Sequence, residues 1–146
     1  MPALPITVET ANASAVAGEL EARLREFNER HSGPQHRQGV VLTIRNEAGG
    51  LIAGLSGECF WNALYVDHLW VNEAHRRQRY GAALLERGEQ IARDRSCDTS
   101  YLNTFDFQAP GFYLKQGYRI IGELRDVPRG CTRIWFSKSL YSQGKV

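Results

Sequence analysis

Apolar residues recur at helical spacing at Val16, Leu20, Leu24 and Phe27, with Glu19, Glu21, Arg23 and Arg25 between them. This pattern predicts an amphipathic helix that opens after Asn12 or Ser14 and closes near His31, ahead of Gly33 and Pro34. Before it, Ile6 to Glu9 reads as a first short strand. Beyond it the period shortens to two. Val40 to Arg45 and Leu51 to Phe60 are strands joined by Asn46-Glu47-Ala48-Gly49-Gly50, a turn-rich stretch that predicts a hairpin. Ala63 to Val71 is the next strand, turned through Trp61 and Asn62. A helix from about Gln78 to Arg95, a strand from Ser100 to Phe105 and a helix from about Phe107 to Gln116 follow. Strands at Tyr118 to Leu124 and Thr132 to Lys138 close the order, with Pro128 and Gly130 turning the final hairpin. The order predicts one domain, a mixed α/β sheet of about seven strands with helices on both faces and no internal repeat or linker.

One junction in this pattern carries chemistry. Between the strand end Leu69-Trp70-Val71 and the helix-forming Ala82-Ala83-Leu84-Leu85 lie Arg76, Arg77, Gln78, Arg79, Tyr80 and Gly81. The first N–H groups of a helix lack intrahelical partners and sit at the positive end of its dipole, so backbone donors alone can bind an anion there. Gly81 has no Cβ to obstruct a phosphate. About thirty residues on, Leu102 to Tyr118 reads LNTFDFQAPGFYLKQGY: a strand, an entry into a helix at Ala109, and Tyr113 followed by Gly117 and Tyr118.

Together these two segments resemble the signatures of the GNAT superfamily of N-acyltransferases. The first signature is Arg or Gln, two residues, Gly, one residue, then Gly or Ala; Arg76 fits its start and Gly81 its end. Arg79 departs from it, standing where the family most often has its first glycine, and is expected to keep a negative φ with its N–H still aimed at the phosphate. In the second signature Asp106 replaces the usual Asn and is expected to cap the helix.

The resemblance implies a GNAT-like sheet whose central strands, Ala63 to Val71 and Ser100 to Phe105, splay apart to form a slot for acetyl-CoA. Leu69, Trp70 and Val71, the loop from Arg76 through Arg77, Gln78, Arg79, Tyr80, Gly81 and Ala82, and Asn103 are then the cofactor-binding residues. Leu69 and Val71 would act through backbone N–H and C=O groups, a form of strand addition, and one of these amides would polarise the acetyl carbonyl. Tyr113 would protonate the departing thiolate. The activity implied is N-acetyl transfer by direct attack of an amine in a ternary complex. A ping-pong route needs a nucleophile, and no Cys–His pairing suggests one.

A primary amine has a pKa near 10, so a base assists at neutral pH. Asp67 stands where several small-amine acetyltransferases of the superfamily carry a carboxylate, and Glu58 on the adjacent strand is the second candidate. Asp67 reads equally as a strand-end residue bonded to backbone or to an arginine. His68 has a suitable pKa, yet strict alternation places it on the opposite face from Asp67. The carboxylates favour a small cationic acceptor such as a polyamine, an aminoglycoside-like antibiotic or a metabolic amine. A protein N-terminus or lysine is the enzymatic alternative. A CoA-binding module without catalysis is the alternative of another class, kept open by Arg79.

Composition narrows the rest. At 146 residues the chain is long enough to bury about two thirds of its unfolded surface. No apolar run approaches the ~20 residues that span a bilayer, and the N-terminus lacks a charged start with an apolar core, so a soluble, unprocessed protein is expected. Cys59, Cys97 and Cys131 are widely spaced and odd in number, which fits a reducing cytoplasm better than a disulfide framework or zinc site. His31, His36, His68 and His75 lack ligand spacing, so no metal is expected. A net charge of +2 is too small to argue for nucleic acid. Trp61, Trp70 and Trp135 read as core or sheet-face residues. Lys115 and Arg119 are weaker candidates for CoA phosphates, and Arg125 to Arg129 for specificity. By analogy with relatives, a homodimer through an exposed edge strand at Thr132 to Lys138 is expected.

Overall fold

The computed structural model describes residues 3–141. Contacts divide the chain into two units, residues 1–35 and 36–146. In the first, α1 (Ala13–Ser32) forms where the apolar spacing predicts it. Its flank is laced by Glu19–Arg23 at 2.7 Å and by a Glu21–Arg25 pair, both four residues apart. Gly33 ends it at φ 81°, its N–H bonded to the Glu29 carbonyl. The strand expected at Ile6 to Glu9 does not form, and that segment joins no ladder. Four residues with only two apolar positions give too little side-chain pairing to hold a strand.

The second unit holds β1 (Gln38–Arg45), β2 (Leu51–Phe60), β3 (Ala63–Val71), a 3-10 turn (Glu73–His75), α2 (Tyr80–Asp94), β4 (Thr99–Phe105), α3 (Gly111–Lys115), β5 (Arg119–Arg125) and β6 (Thr132–Ser139). Among the described residues the sheet is mixed and flanked by helices, with six strands rather than seven in the order β1-β2-β3-β4-β6-β5. Only β3 and β4 run parallel. Thr132 to Ser139 is therefore interior, between β4 and β5, and the exposed edge expected there belongs to β5. The last strand passes its neighbour in sequence and inserts beside β4, a choice that a linear pattern cannot express. No helix among the described residues is long and apolar enough to cross a membrane.

Helix α2 buries Ala82, Leu85, Glu89 and Ala92 on one stripe, with Leu84 and Gly88 beside it. That stripe meets a sheet face built from Leu55, Leu64, Leu102 and Phe136, each no more than 2 % exposed. Burying a leucine of this kind contributes about 1.5–3 kcal/mol. Within this core Glu89 is itself buried. Its carboxylate accepts from Lys138 Nζ at 2.8 Å and from the Tyr118 hydroxyl at 2.8 Å, and Ser100 Oγ lies 2.7 Å from the same hydroxyl. The charge is thereby paired and every polar atom bonded, the condition for tolerating a carboxylate in a core.

Candidate active site

The basic loop gives way to helix at Tyr80, two residues later than its spacing suggests. The backbone N–H groups from Gln78 to Ala82 find no acceptor among the described residues, and the first helical bond runs from Ala83 N–H to the Arg79 carbonyl at 3.0 Å. Unengaged donors at the positive end of a four-turn helix form a cradle of the kind that can bind an anion. Arg79 does not keep a negative φ. It sits at φ 63°, ψ 20°, and Arg77 is likewise at φ 72°. The family's glycine position thus retains a glycine-like backbone while carrying an arginine, at a cost of about 1–2 kcal/mol. A Cβ added at Gly81 would meet Phe112 Cζ at 3.4 Å, so this glycine also lets the segment around Phe112 approach the helix start.

Beside the cradle the sheet opens. β3 and β4 pair only from Ala63–Thr99 to Tyr65–Tyr101 and then part. The cause is legible at Asp67: Gly57 pairs with Val66 but Ser56 with His68, so Asp67 is an extra residue, a bulge. Gly57 makes room for it, since a Cβ there would overlap the Tyr65 carbonyl oxygen. Beyond the bulge Asn72 N–H donates to the Ile52 carbonyl at 2.8 Å. By alternation Leu69 and Val71 aim their backbone groups at the opposite edge, into the fork.

The far wall of the fork is residues 107–116. The helix expected over Phe107 to Gln116 is shorter, Gly111–Lys115, because the chain first turns through Ala109 at φ 53° and Pro110 has no N–H to donate. Asp106 does not cap it; its carboxylate accepts the Thr132 N–H at 3.1 Å. Between the walls lies a cavity of ≈ 810 Å³. It is lined on one side by Leu69, Trp70, Val71, His75 and residues of the loop with Tyr80, Gly81 and Ala82, and on the other by Phe107 to Ala109, Phe112, Tyr113, Lys115 and Gln116. Tyr113 is held there by Phe112, Tyr118 and Phe136, with ring centroids 5.1, 6.0 and 5.5 Å away. Its hydroxyl has no hydrogen-bond partner among the described residues, and burial raises the phenol above its ordinary value near 10. It keeps its proton at neutral pH.

His75 was missed by sequence reading as a slot residue, whereas Trp70 was placed there with the strand end. Trp70 is half exposed and lines the cavity rather than packing in the core. The buried Nδ1 of His75 lacks a partner among the described residues. The signal for His75 was its position flanking the loop, not its residue type.

The acid–base candidates stand apart from the cavity lining. Asp67 is exposed. His68 is not on the opposite face: its Nδ1 is 3.7 Å from Asp67 Oδ2 and 3.0 Å from Ser56 Oγ, because the bulge breaks the alternation. Glu58 is bound by Arg37 Nε at 2.9 Å, so its charge is already engaged. Asn103 does not line the cavity; its amide donates to the Tyr65 hydroxyl at 2.9 Å and accepts from Arg133 Nε at 2.8 Å. Lys115 lines the cavity, whereas Arg119 lines a separate cleft with Arg93 and Lys138.

The sequence profile described as Acetyltransferase (GNAT) family matches residues 6–118. A blasticidin-S acetyltransferase of Streptomyces morookaense is 42 % identical over 95 residues, 64 % of this chain and 70 % of that one. The crystal structure of an acetyltransferase from Bacillus cereus superimposes with a TM-score of 0.85 at 32 % identity, covering 93 % of this chain and 97 % of its own. An aminoglycoside 6'-N-acetyltransferase complexed with coenzyme A shares the fold at a TM-score of 0.63 and 18 % identity, over 73 % of this chain and 76 % of that one.

Proposed function

Because the chain belongs to the GNAT family of acetyltransferases, we propose that it carries an acetyl group from acetyl-CoA to a small amine by direct attack within a ternary complex. The reading rests above all on one observation: Arg79 to Ala82, whose backbone N–H groups have no acceptor among the described residues, and Tyr113, whose phenol has no partner among them, line the same cavity. The N–H groups from Gln78 to Ala82 and the side chains of Arg76, Arg77 and Arg79 receive the pyrophosphate. Leu69 and Val71 pair through their backbones with the pantetheine arm, and an amide of this strand polarises the thioester carbonyl.

The amine nitrogen attacks the carbonyl carbon, the C–S bond breaks, and Tyr113 gives its phenolic proton to the leaving thiolate. Asp67, directly or through water, takes the proton that the new amide nitrogen sheds. Asp67 suits this better than Glu58, whose carboxylate Arg37 already holds. The coenzyme A bound by the aminoglycoside relative and the antibiotic named for the Streptomyces relative support acetyl-CoA and a small amine rather than a protein terminus.

A thermal-shift titration with acetyl-CoA, followed by thiol release against a panel of amines, tests this. Saturable stabilisation with turnover of a small amine is the expected result. Stabilisation with turnover only of peptide amines would move the acceptor to protein. Stabilisation without any turnover would leave a CoA-binding module, and no stabilisation would overturn the cofactor assignment.

A further inference from the structure

The fork in the sheet is bridged by side chains that the reaction above does not use. Strand register places Tyr101, Asn103 and Phe105 of β4 opposite Ser137, Trp135 and Arg133 of β6, on one face, with Tyr65 beside Tyr101 at the last rung before β3 and β4 part. On the other face the alternating residues Leu64, Val66, Leu102 and Thr104 are buried in the core with α2. A molecule approaching a thioester in the fork therefore meets the half-buried polar face.

This face is ordered and rich in donors. Arg133 donates from Nε to Asn103 Oδ1 at 2.8 Å, and its guanidinium lies over the rings of Phe105 and Trp135 at 5.5 and 5.0 Å. The bond from Arg133 fixes which way the Asn103 amide points, so Nδ2 donates to the Tyr65 hydroxyl. What remains is uniform in sense. Both Nη groups of Arg133, the Trp135 indole N–H and the Tyr65 hydroxyl proton have no acceptor among the described residues. Arginine and tryptophan can only donate. A flat cation with two parallel N–H groups left over matches the two oxygens of a carboxylate.

We propose that Arg133 is a specificity-determining residue that receives a carboxylate on the acceptor, with Asn103 as its positioning residue, so that the preferred substrates are amines that also carry an acid group. The proposal rests on the acetyltransferase reading above and narrows its acceptor from a plain cation to an amino acid-like molecule.

The test uses matched pairs of amino acids and the amines that lack their carboxylate: lysine and cadaverine, histidine and histamine, phenylalanine and phenethylamine. In at least one pair the acid form is used better by about 10- to 100-fold in kcat/KM, the scale of one charge-assisted bidentate contact, and the difference lies in KM. Arg133→Met brings that ratio close to one. Arg133→Lys keeps part of it, and Asn103→Ala lowers it while the charge remains. Stabilisation by acetyl-CoA stays at the wild-type level in all three variants and certifies their folding. Absence of any acid preference in the wild type, or its survival in Arg133→Met, overturns the proposal. Loss of acetyl-CoA stabilisation in the wild type itself removes the proposal together with the reading beneath it.

Discussion

Tyr113 and Tyr118 stand five residues apart with ring centroids 6.0 Å from each other, and they do opposite things. The Tyr118 hydroxyl is bonded on both sides, to Glu89 and Ser100, inside a core that also neutralises Glu89 with Lys138. Tyr113, its ring packed by three others, lines the cavity, and its hydroxyl has no partner among the described residues. Burial raises both phenols, and the Glu89 charge raises Tyr118 further. A polar group whose every bond is made inside the protein stabilises the fold. One that is desolvated and left unpaired costs stability, and is kept where a ligand completes it. The same contrast separates the helix start at Gln78 to Ala82, with its idle N–H groups, from the satisfied interior of α2.

The contrast breaks most visibly at Lys138. Lys138→Met strands the buried Glu89 charge and is expected to cost about 3–5 kcal/mol in chemical denaturation, while acetyl-CoA affinity of the folded fraction is unchanged. Tyr113→Phe is the converse: turnover falls by one to three decades, about 1.4–4 kcal/mol in the barrier, with cofactor affinity and stability kept. Tyr118→Phe should reverse that signature, losing about 1–3 kcal/mol of stability through the unpaired carboxylate oxygen with kcat retained. If the two tyrosine variants behave alike, the division between them is wrong.

Alkaline titration gives a smaller effect. Both phenols have a folded pKa above the unfolded value near 10. The unfolded chain therefore loses these protons first, so stability is complete below about pH 10 and declines as pH rises beyond it. Tyr118→Phe should flatten that decline in a pH series of denaturation midpoints. Smallest is Arg79→Gly. It relieves a left-handed arginine at φ 63° and should raise stability by about 1 kcal/mol, while acetyl-CoA stabilisation weakens only modestly because the backbone N–H groups and the side chains of Arg76 and Arg77 remain.

Local pattern carried much of this. The spacing of Val16, Leu20, Leu24 and Phe27 marks α1, alternation marks the strands from β1 onward, and the run from Arg76 to Gly81 marks a helix start. These are properties of neighbouring residues, and neighbouring residues are what a sequence displays. Ile6 to Glu9 failed as a strand because four residues without a partner have propensity but no ladder. Asp106 failed as a cap because Thr132, distant in the chain, offered its N–H.

The sequence by itself therefore determined the order of helices and strands from α1 onward, the cradle at the head of α2 and the candidate tyrosine. Tertiary structure alone decided that β6 lies inside the sheet, that Asp67 sits on a bulge beside His68, that Glu89 is neutralised by Lys138 from 49 residues away, and that Arg133 reaches Asn103. The bulge is set by register within the β2–β3 hairpin, and each of the others rests on a pairing between strands or helices far apart in the chain. Such a pairing leaves no periodicity in either partner, because the free energy that selects it exists only once both are in place.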